Sequence, residues 1–338
     1  MLRFRNNEDY QQYYYKKDLK RTANGLGLML VTVFVLEMGL DMIIAIWSQS
    51  KPFEFTMLFG SSDMPSLLLN GVASAVLFFV VAGLYVLLEK RSFGALFPFE
   101  KVGKKKLAML CTIGIAISLL SNLAPEMLSE VFGMFGISNQ GGDVSISGSD
   151  DLPSVLMYYL VIAIIPAFTE EFAFRGVILG SLRKYSDGLA LVVSSAMFAL
   201  MHGNFVQIPF TFCCGLMFGF LLIKTNSMLP GMIVHFLNNG LSVTFDLLYQ
   251  YNIMSSNLVN LCYGVVIVIT GILALIFLRR FAKEDDGFFK VERSDDVIPY
   301  REKVKTAAGS PTIITFSVMM LLAAVFQLMQ PYLMSLQR

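Results

Sequence analysis

Apolar runs of about 20 residues recur along this chain, and they limit the folds that it can adopt. A helix of about 20 residues is long enough to cross the roughly 30 Å hydrocarbon core of a bilayer. The composition agrees, because 55% of the 338 residues are hydrophobic and only 15% are charged. A transmembrane barrel would need alternating strands of about 10 residues, and the sequence shows none. We therefore predict an all-α fold, a polytopic transmembrane helical bundle.

Nine apolar segments are candidate spans, and two of them are short for a full crossing. We therefore expect eight to nine spans. The candidates are Ala23–Trp47, Pro65–Leu88, Leu107–Leu123, Leu152–Phe174, Leu189–His202, Pro209–Ile223, Leu229–Leu248, Leu258–Phe277 and Thr312–Met334. The corresponding regions are a basic tail (1–22), amino-terminal helices with a Gly/Ser-rich linker at their end (23–149), a transmembrane core (150–280), a charged connection (281–310) and a final helix (311–338).

Lysine and arginine are concentrated in alternate loops, as in "EKVGKKK" (100–106) and "LRRFAK" (278–283), whereas residues 124–151 contain neither. Cytoplasmic loops of membrane proteins carry the excess of these residues. We therefore expect a cytoplasmic amino terminus and, with nine crossings, a carboxyl terminus outside. The net charge of +1 gives no general attraction to nucleic acid. Membrane lipids are the expected surroundings, and no nucleic-acid partner is expected.

The stretch "AFTEEFAFRG" (167–176) places charged residues between apolar runs. Ionisable groups inside a membrane are rare and by default indicate a functional site. Glu171 and Arg175 are four residues apart and share a helix face, which suits an ion pair. Glu170 lies about 100° around the helix and has no such partner, so it is the carboxylate left for chemistry. Pro166 predicts a kink just before the two glutamates.

Two further polar positions lie in predicted spans, "FALMH" and "HFLNN". Phe198 and His202 are four residues apart, and so are His235 and Asn239. These are the chain's two histidines, and histidine is suited to proton transfer near neutral pH. A lone intramembrane His or Asn is often only a contact between helices. Together with Glu170, however, these side chains could converge in a bundle and deprotonate a water molecule.

At these residues the sequence resembles the CAAX protease and bacteriocin-processing (CPBP) family of intramembrane proteases. The three matching motifs, in order and within residues 150–250, are Glu170-Glu171-x-x-x-Arg175, Phe198-x-x-x-His202 and His235-x-x-x-Asn239. The flanking "FRG" and "LPGMIVH" are also similar to the family. The resemblance implies an intramembrane endopeptidase that hydrolyses a peptide bond in a membrane-associated peptide or lipidated protein tail. It also implies a cavity open toward the cytoplasmic side and the lipid.

The resemblance assigns roles by position. Glu170 and His202 would activate the attacking water, and His235 and Asn239 would stabilise the oxyanion. Glu171, Arg175 and Phe198 would support them. No cofactor is expected.

Other interpretations of the same residues remain open. Glu170, His202 and His235 could instead ligate zinc, with Glu171 as the base. The chain could be a non-proteolytic immunity or scaffold protein, or a transporter with a proton relay. Glu37 and Asp41, four residues apart in the first span, suit a proton path or a structural polar contact.

Overall fold

The computed structural model describes residues 7–50, 63–135, 137, 152–291 and 297–335. The Gly/Ser-rich segment 138–151, predicted to be a solvated linker, lies outside them. Within these ranges the chain is helical and contains no β-strand; one isolated bridge pairs Phe99 with Ser227. The helices are α1 (Asn7–Ser50), α2 (Asp63–Leu88), α3 (Phe93–Leu96), α4 (Lys104–Ser121), α5 (Leu123–Met134), α6 (Leu152–Arg183), α7 (Asp187–Met201), α8 (Ile208–Thr225), α9 (Leu229–Gln250), α10 (Ser256–Glu284), α11 (Tyr300–Ala308) and α12 (Pro311–Ser335).

Seven helical segments are long and apolar enough to cross a membrane, with α4 and α5 counted together as one. They are α1, α2, α4–α5, α6, α8, α10 and α12. The chain is therefore an integral, multi-pass membrane protein with a helical-bundle fold, as predicted. The two remaining predicted spans differ for separate reasons. Helix α7 has only 15 residues and ends before Gly203, whose φ of +57° stops a helix. Helix α9 has 22 residues, but polar side chains such as His235 and Asn239 lower its hydropathy.

Two of the predicted regions have more helix than expected. Helix α1 starts at Asn7, so most of the segment predicted as a basic tail is helical. The charged connection contains α11, which is held against α1 and the turn before α7. Lys303 of α11 is buried and donates to the carbonyl of Tyr185 at 2.9 Å. Lys16 donates to Glu302 at 3.1 Å, which holds the pKa of that carboxyl below its usual range.

Helix α6 is irregular where the functional motif lies. It has α-helical hydrogen bonding over Ile165–Glu170 and π-helical turns over Leu160–Ile164 and Glu171–Leu179. Pro166 has no N–H to give to the carbonyl of Ile162, four residues earlier, so the regular pattern fails there. π-Turns are often found at functional sites because they re-aim side chains.

The core of the bundle surrounds α6. Helices α7 and α8 pack together along one side, α4 packs against α8, α9 and α10, and α1 packs against α2 and α12. The interior contains side chains with almost no exposure, including Leu110, Phe174, Leu179, Phe218 and Leu221. At Gly176 an added Cβ would collide with the ring of Phe97, so this close approach requires glycine. The motif-bearing part of α6 is therefore enclosed by its neighbours.

Candidate active site

A buried ion pair anchors the site. Arg175 Nη1 lies 3.1 Å from Glu171 Oε1, and each side chain is only 1% exposed. The same oxygen of Glu171 accepts a hydrogen bond from Nδ1 of His235 at 3.1 Å. Glu171 therefore connects α6 to α9, and because a carboxylate only accepts, Nδ1 of the histidine ring carries a proton.

Aromatic rings enclose this pair. The Arg175 guanidinium lies 4.2 Å from the centroid of Phe198 and 5.0 Å from that of Phe218. The His235 ring stacks on Phe218 at 5.0 Å. A cation over an aromatic face is attracted by the ring's quadrupole, and burial strengthens the attraction. The rings therefore hold both the guanidinium and the imidazole in place.

Glu170 has a different environment from its neighbour in sequence. Its side chain is 25% exposed, and its Oε2 lies 3.6 Å from Nε2 of His235, just beyond hydrogen-bond distance. It faces a partly open cavity of about 510 Å³ that is also lined by His202, His235, Asn238 and Asn239. The two adjacent glutamates thus differ as the spacing predicted: Glu171 is paired and buried, and Glu170 faces a space that can hold water.

His202 reaches the same cavity from the end of α7. Its Nδ1 lies 2.9 Å from the carbonyl oxygen of Phe198. A carbonyl can only accept, so Nδ1 carries the proton and Nε2 carries the lone pair. The last carbonyls of a helix have no partner within the helix, and here the ring supplies one. The ring of Phe198 touches both imidazoles, with centroids 5.0 Å from His202 and 6.1 Å from His235.

Asn239 has a contact that the sequence did not reveal. Its Nδ2 donates to the carbonyl of Ile162 at 3.1 Å, which is the carbonyl that Pro166 leaves without an α-helical partner. Asn238 donates to Oδ1 of Asn239 at 3.2 Å, and its own Oδ1 is buried without a protein partner. One N–H of Asn239 is therefore used to join α9 to α6, and the other remains for a ligand.

The four residues predicted to be catalytic line one cavity, and the three predicted to support them lie in or beside its wall. Two further residues of the site, Phe218 and Asn238, were not predicted from the sequence. Phe218 looks like an ordinary core residue, and the only signal for Asn238 was the doubled amide in "HFLNN".

Glu37 of α1 hydrogen-bonds Ser74, and its charge interacts with that of Glu170. Within the described ranges, no three His, Cys, Asp or Glu side chains are grouped so that they could hold a metal ion.

Two comparisons with known proteins match the part of the chain that contains this site. Residues 152–241 match the family model described as "Type II CAAX prenyl endopeptidase Rce1-like", and the match contains all seven predicted site residues. An alignment 156 residues long, which covers 44% of this chain, is 28% identical to the "Membrane-embedded CAAX protease MroQ" of Staphylococcus aureus (strain USA300). Both findings support the CPBP family assignment. The aligned part spans 62% of that relative's length. No solved structure matches the chain.

Proposed function

We propose that this protein is an intramembrane endopeptidase that uses Glu170 to activate water. The observation that carries the proposal is the placement of Glu170 Oε2 3.6 Å from His235 Nε2, on a cavity that His202 also lines. A water molecule between these groups could donate to the carboxylate and remain oriented by the imidazoles. Peptide hydrolysis requires such a base and requires donors where negative charge develops.

In the proposed reaction, the oxygen of water bonds to the carbonyl carbon of the peptide as its proton moves to Glu170. The lone pair at His202 Nε2 accepts the second hydrogen bond of the water and fixes its direction. The tetrahedral intermediate then collapses with cleavage of the C–N bond. The proton held by Glu170 passes to the leaving amine, so the carboxylate is regenerated and no atom is unaccounted for.

The free N–H of Asn239 is the proposed donor to the oxyanion, and His235 beside it supplies a second donor from Nε2 when both of its ring nitrogens are protonated. Glu171 and Arg175 act through His235, because the hydrogen bond from Nδ1 to Glu171 sets the ring orientation. Phe198 contacts the guanidinium and both imidazoles and keeps them in position. We propose that these three residues position the reacting groups.

The substrate that we propose is a membrane-associated peptide or a lipidated protein tail. The names of the family model and of the staphylococcal relative both refer to CAAX proteins, and the former refers to prenylated ones. An apolar groove of about 640 Å³ on another face of α6, lined among others by Phe97, Phe168, Phe172 and Phe236, would accommodate a hydrocarbon chain. The amino terminus is proposed to be cytoplasmic, on the basis of the basic loops.

Peptide mass spectrometry of cells tests the function for a substrate of any sequence. We expect peptides present with the wild-type protein to disappear in Glu170→Gln, His202→Ala and Asn239→Ala cells, while their uncleaved precursors accumulate. Glu130→Gln, which changes an exposed carboxylate on α5, is the matched control and should leave the peptides unchanged. Wild-type peptides in the Glu170→Gln cells would refute proteolysis by this mechanism and favour an immunity or scaffold role.

The zinc alternative is tested on the purified protein. Our mechanism predicts that cleavage of a precursor identified in those cells survives incubation with a chelator. Loss of cleavage that is restored by zinc would replace it with a mechanism in which Glu170, His202 and His235 are metal ligands.

A further inference from the structure

The cavity at the candidate active site is directed toward one end of the bundle. Its lining includes Asn122, which follows α4, a helix that begins at Lys104. It includes Gln207, which precedes α8, a helix that has Lys224 in its last turn. Ser242, also in the lining, lies beyond the midpoint of α9. The cavity therefore runs from the middle of the bundle toward the end opposite these lysines.

The other end of the site is filled by protein. Between the cavity and the basic end, α6 and α8 contribute side chains that are at most 1% exposed. They are Glu171, Phe174, Arg175, Val177, Phe218, Leu221 and Leu222. Interiors packed in this way leave few voids as large as a water molecule. In the described structure, the layer formed by these residues therefore separates Glu170 from the end that carries the basic loops.

The charge pattern identifies the two ends. Three long stretches contain no lysine or arginine: 107–174, 185–223 and 225–278. Each contains helices that lead away from the basic end and helices that lead back toward it. Arg175, which follows the first stretch, is buried within the site. Basic residues stand where these stretches meet, at Lys106, Lys184, Lys224 and Arg279. Such a bias places the basic end in the cytoplasm. The cavity then opens on the other side of the membrane.

We propose that water and substrate reach Glu170 from the extracytoplasmic end of the bundle. This differs from the cytoplasmic opening that the family resemblance implied. If the proposed function holds, the scissile bond of the membrane-associated peptide or lipidated tail is presented on the extracytoplasmic side, as in an exported peptide or the outer segment of a membrane protein. Amide and hydroxyl groups of Asn122, Gln207, Asn238 and Ser242 line the route, so a hydrated peptide backbone would find hydrogen-bond partners along it.

Cysteine accessibility tests this route without any substrate. The native cysteines are first replaced by alanine: Cys111, Cys213, Cys214 and Cys262. Thr211→Cys then places a thiol inside the cavity in a side chain with one heavy atom fewer than threonine, and Gln207→Cys places one at its exposed mouth. Lys105→Cys, at the exposed basic end, is the matched control. Intact cells are treated with a charged, membrane-impermeant methanethiosulfonate reagent, before and after permeabilisation.

We expect Thr211→Cys and Gln207→Cys to be modified in intact cells and Lys105→Cys to be modified only after permeabilisation. Modification of Thr211→Cys only after permeabilisation, or under neither condition, would overturn the proposed route. Modification of Lys105→Cys in intact cells would overturn the assignment of the two ends. Labelling needs no catalysis, so the same pattern is expected in a Glu170→Gln background. Failure of the proteolytic function would therefore leave the labelling result intact.

Discussion

Removal of Arg175 should destabilise the protein strongly, because it leaves the buried Glu171 carboxylate without its cation. At the 3.1 Å separation from Glu171, the Coulomb attraction is about 5 kcal/mol for an effective dielectric constant of about 20. Desolvation of both groups opposes this attraction. Once Arg175 is gone, however, Glu171 stays 1% exposed with only the His235 N–H as a partner. Loss of one member of a buried pair typically costs about 3–5 kcal/mol, and we expect Arg175→Met to fall in this range.

A double-mutant cycle isolates the pair. Arg175→Met, Glu171→Gln and the double variant are purified in detergent, and their free energies of unfolding are measured by denaturant titration. The double variant should be more stable than the sum of the single losses predicts, because it buries no unpaired charge. Arg280→Met is the matched control: its pair with Glu284 has the same spacing and a shorter distance of 2.7 Å, but it is about half exposed. We expect a change below about 1 kcal/mol there. Similar losses of unfolding free energy in Arg175→Met and Arg280→Met would show that burial of the Glu171–Arg175 pair does not determine its contribution.

Two further predictions concern packing and the Asn239 contact. Gly176→Ala should destabilise the protein by about 1–3 kcal/mol, since its Cβ would meet Phe97, whereas Gly94→Ala, with nothing within 4 Å, should be nearly neutral in the same titration. Equal losses of stability in Gly176→Ala and Gly94→Ala would argue against the close contact between Gly176 and the ring of Phe97. Asn239→Ala should slow cleavage of an identified precursor by about 10²–10³-fold, as expected for loss of an oxyanion donor. Cleavage by Asn239→Ala at the wild-type rate would show that Asn239 has no role beyond its hydrogen bond to the carbonyl of Ile162.

The parts of the site that depend on local helix geometry could be predicted from the sequence. The Glu171–Arg175 contact follows from a four-residue spacing, and the different position of Glu170 follows from the rotation per residue. The four predicted catalytic residues do line one cavity, although they come from three helices. Their detailed roles stay predictions.

The contacts between helices could not be predicted in the same way. Nothing in the spacing of α9 indicates that His235 lies against both glutamates, or that Asn239 bonds to Ile162. One π-helical turn of α6, over Leu160–Ile164, lies where Pro166 removes an N–H, but nothing in the sequence indicates the second, over Glu171–Leu179. The number of spans was also difficult to predict. Polar site residues reduce the hydropathy of α9, and a glycine with positive φ follows the short helix α7.

Single-turnover cleavage by the protein in liposomes, performed in ¹⁸O-enriched water with a precursor identified in cells, tests whether Glu170 activates the water. We expect one ¹⁸O atom in the new carboxyl group with the wild-type protein and with Glu130→Gln. We expect a fall in rate of at least about 10²-fold with Glu170→Gln, the range for loss of a general base. Cleavage by Glu170→Gln at the wild-type rate would contradict the claim that this carboxylate activates the water.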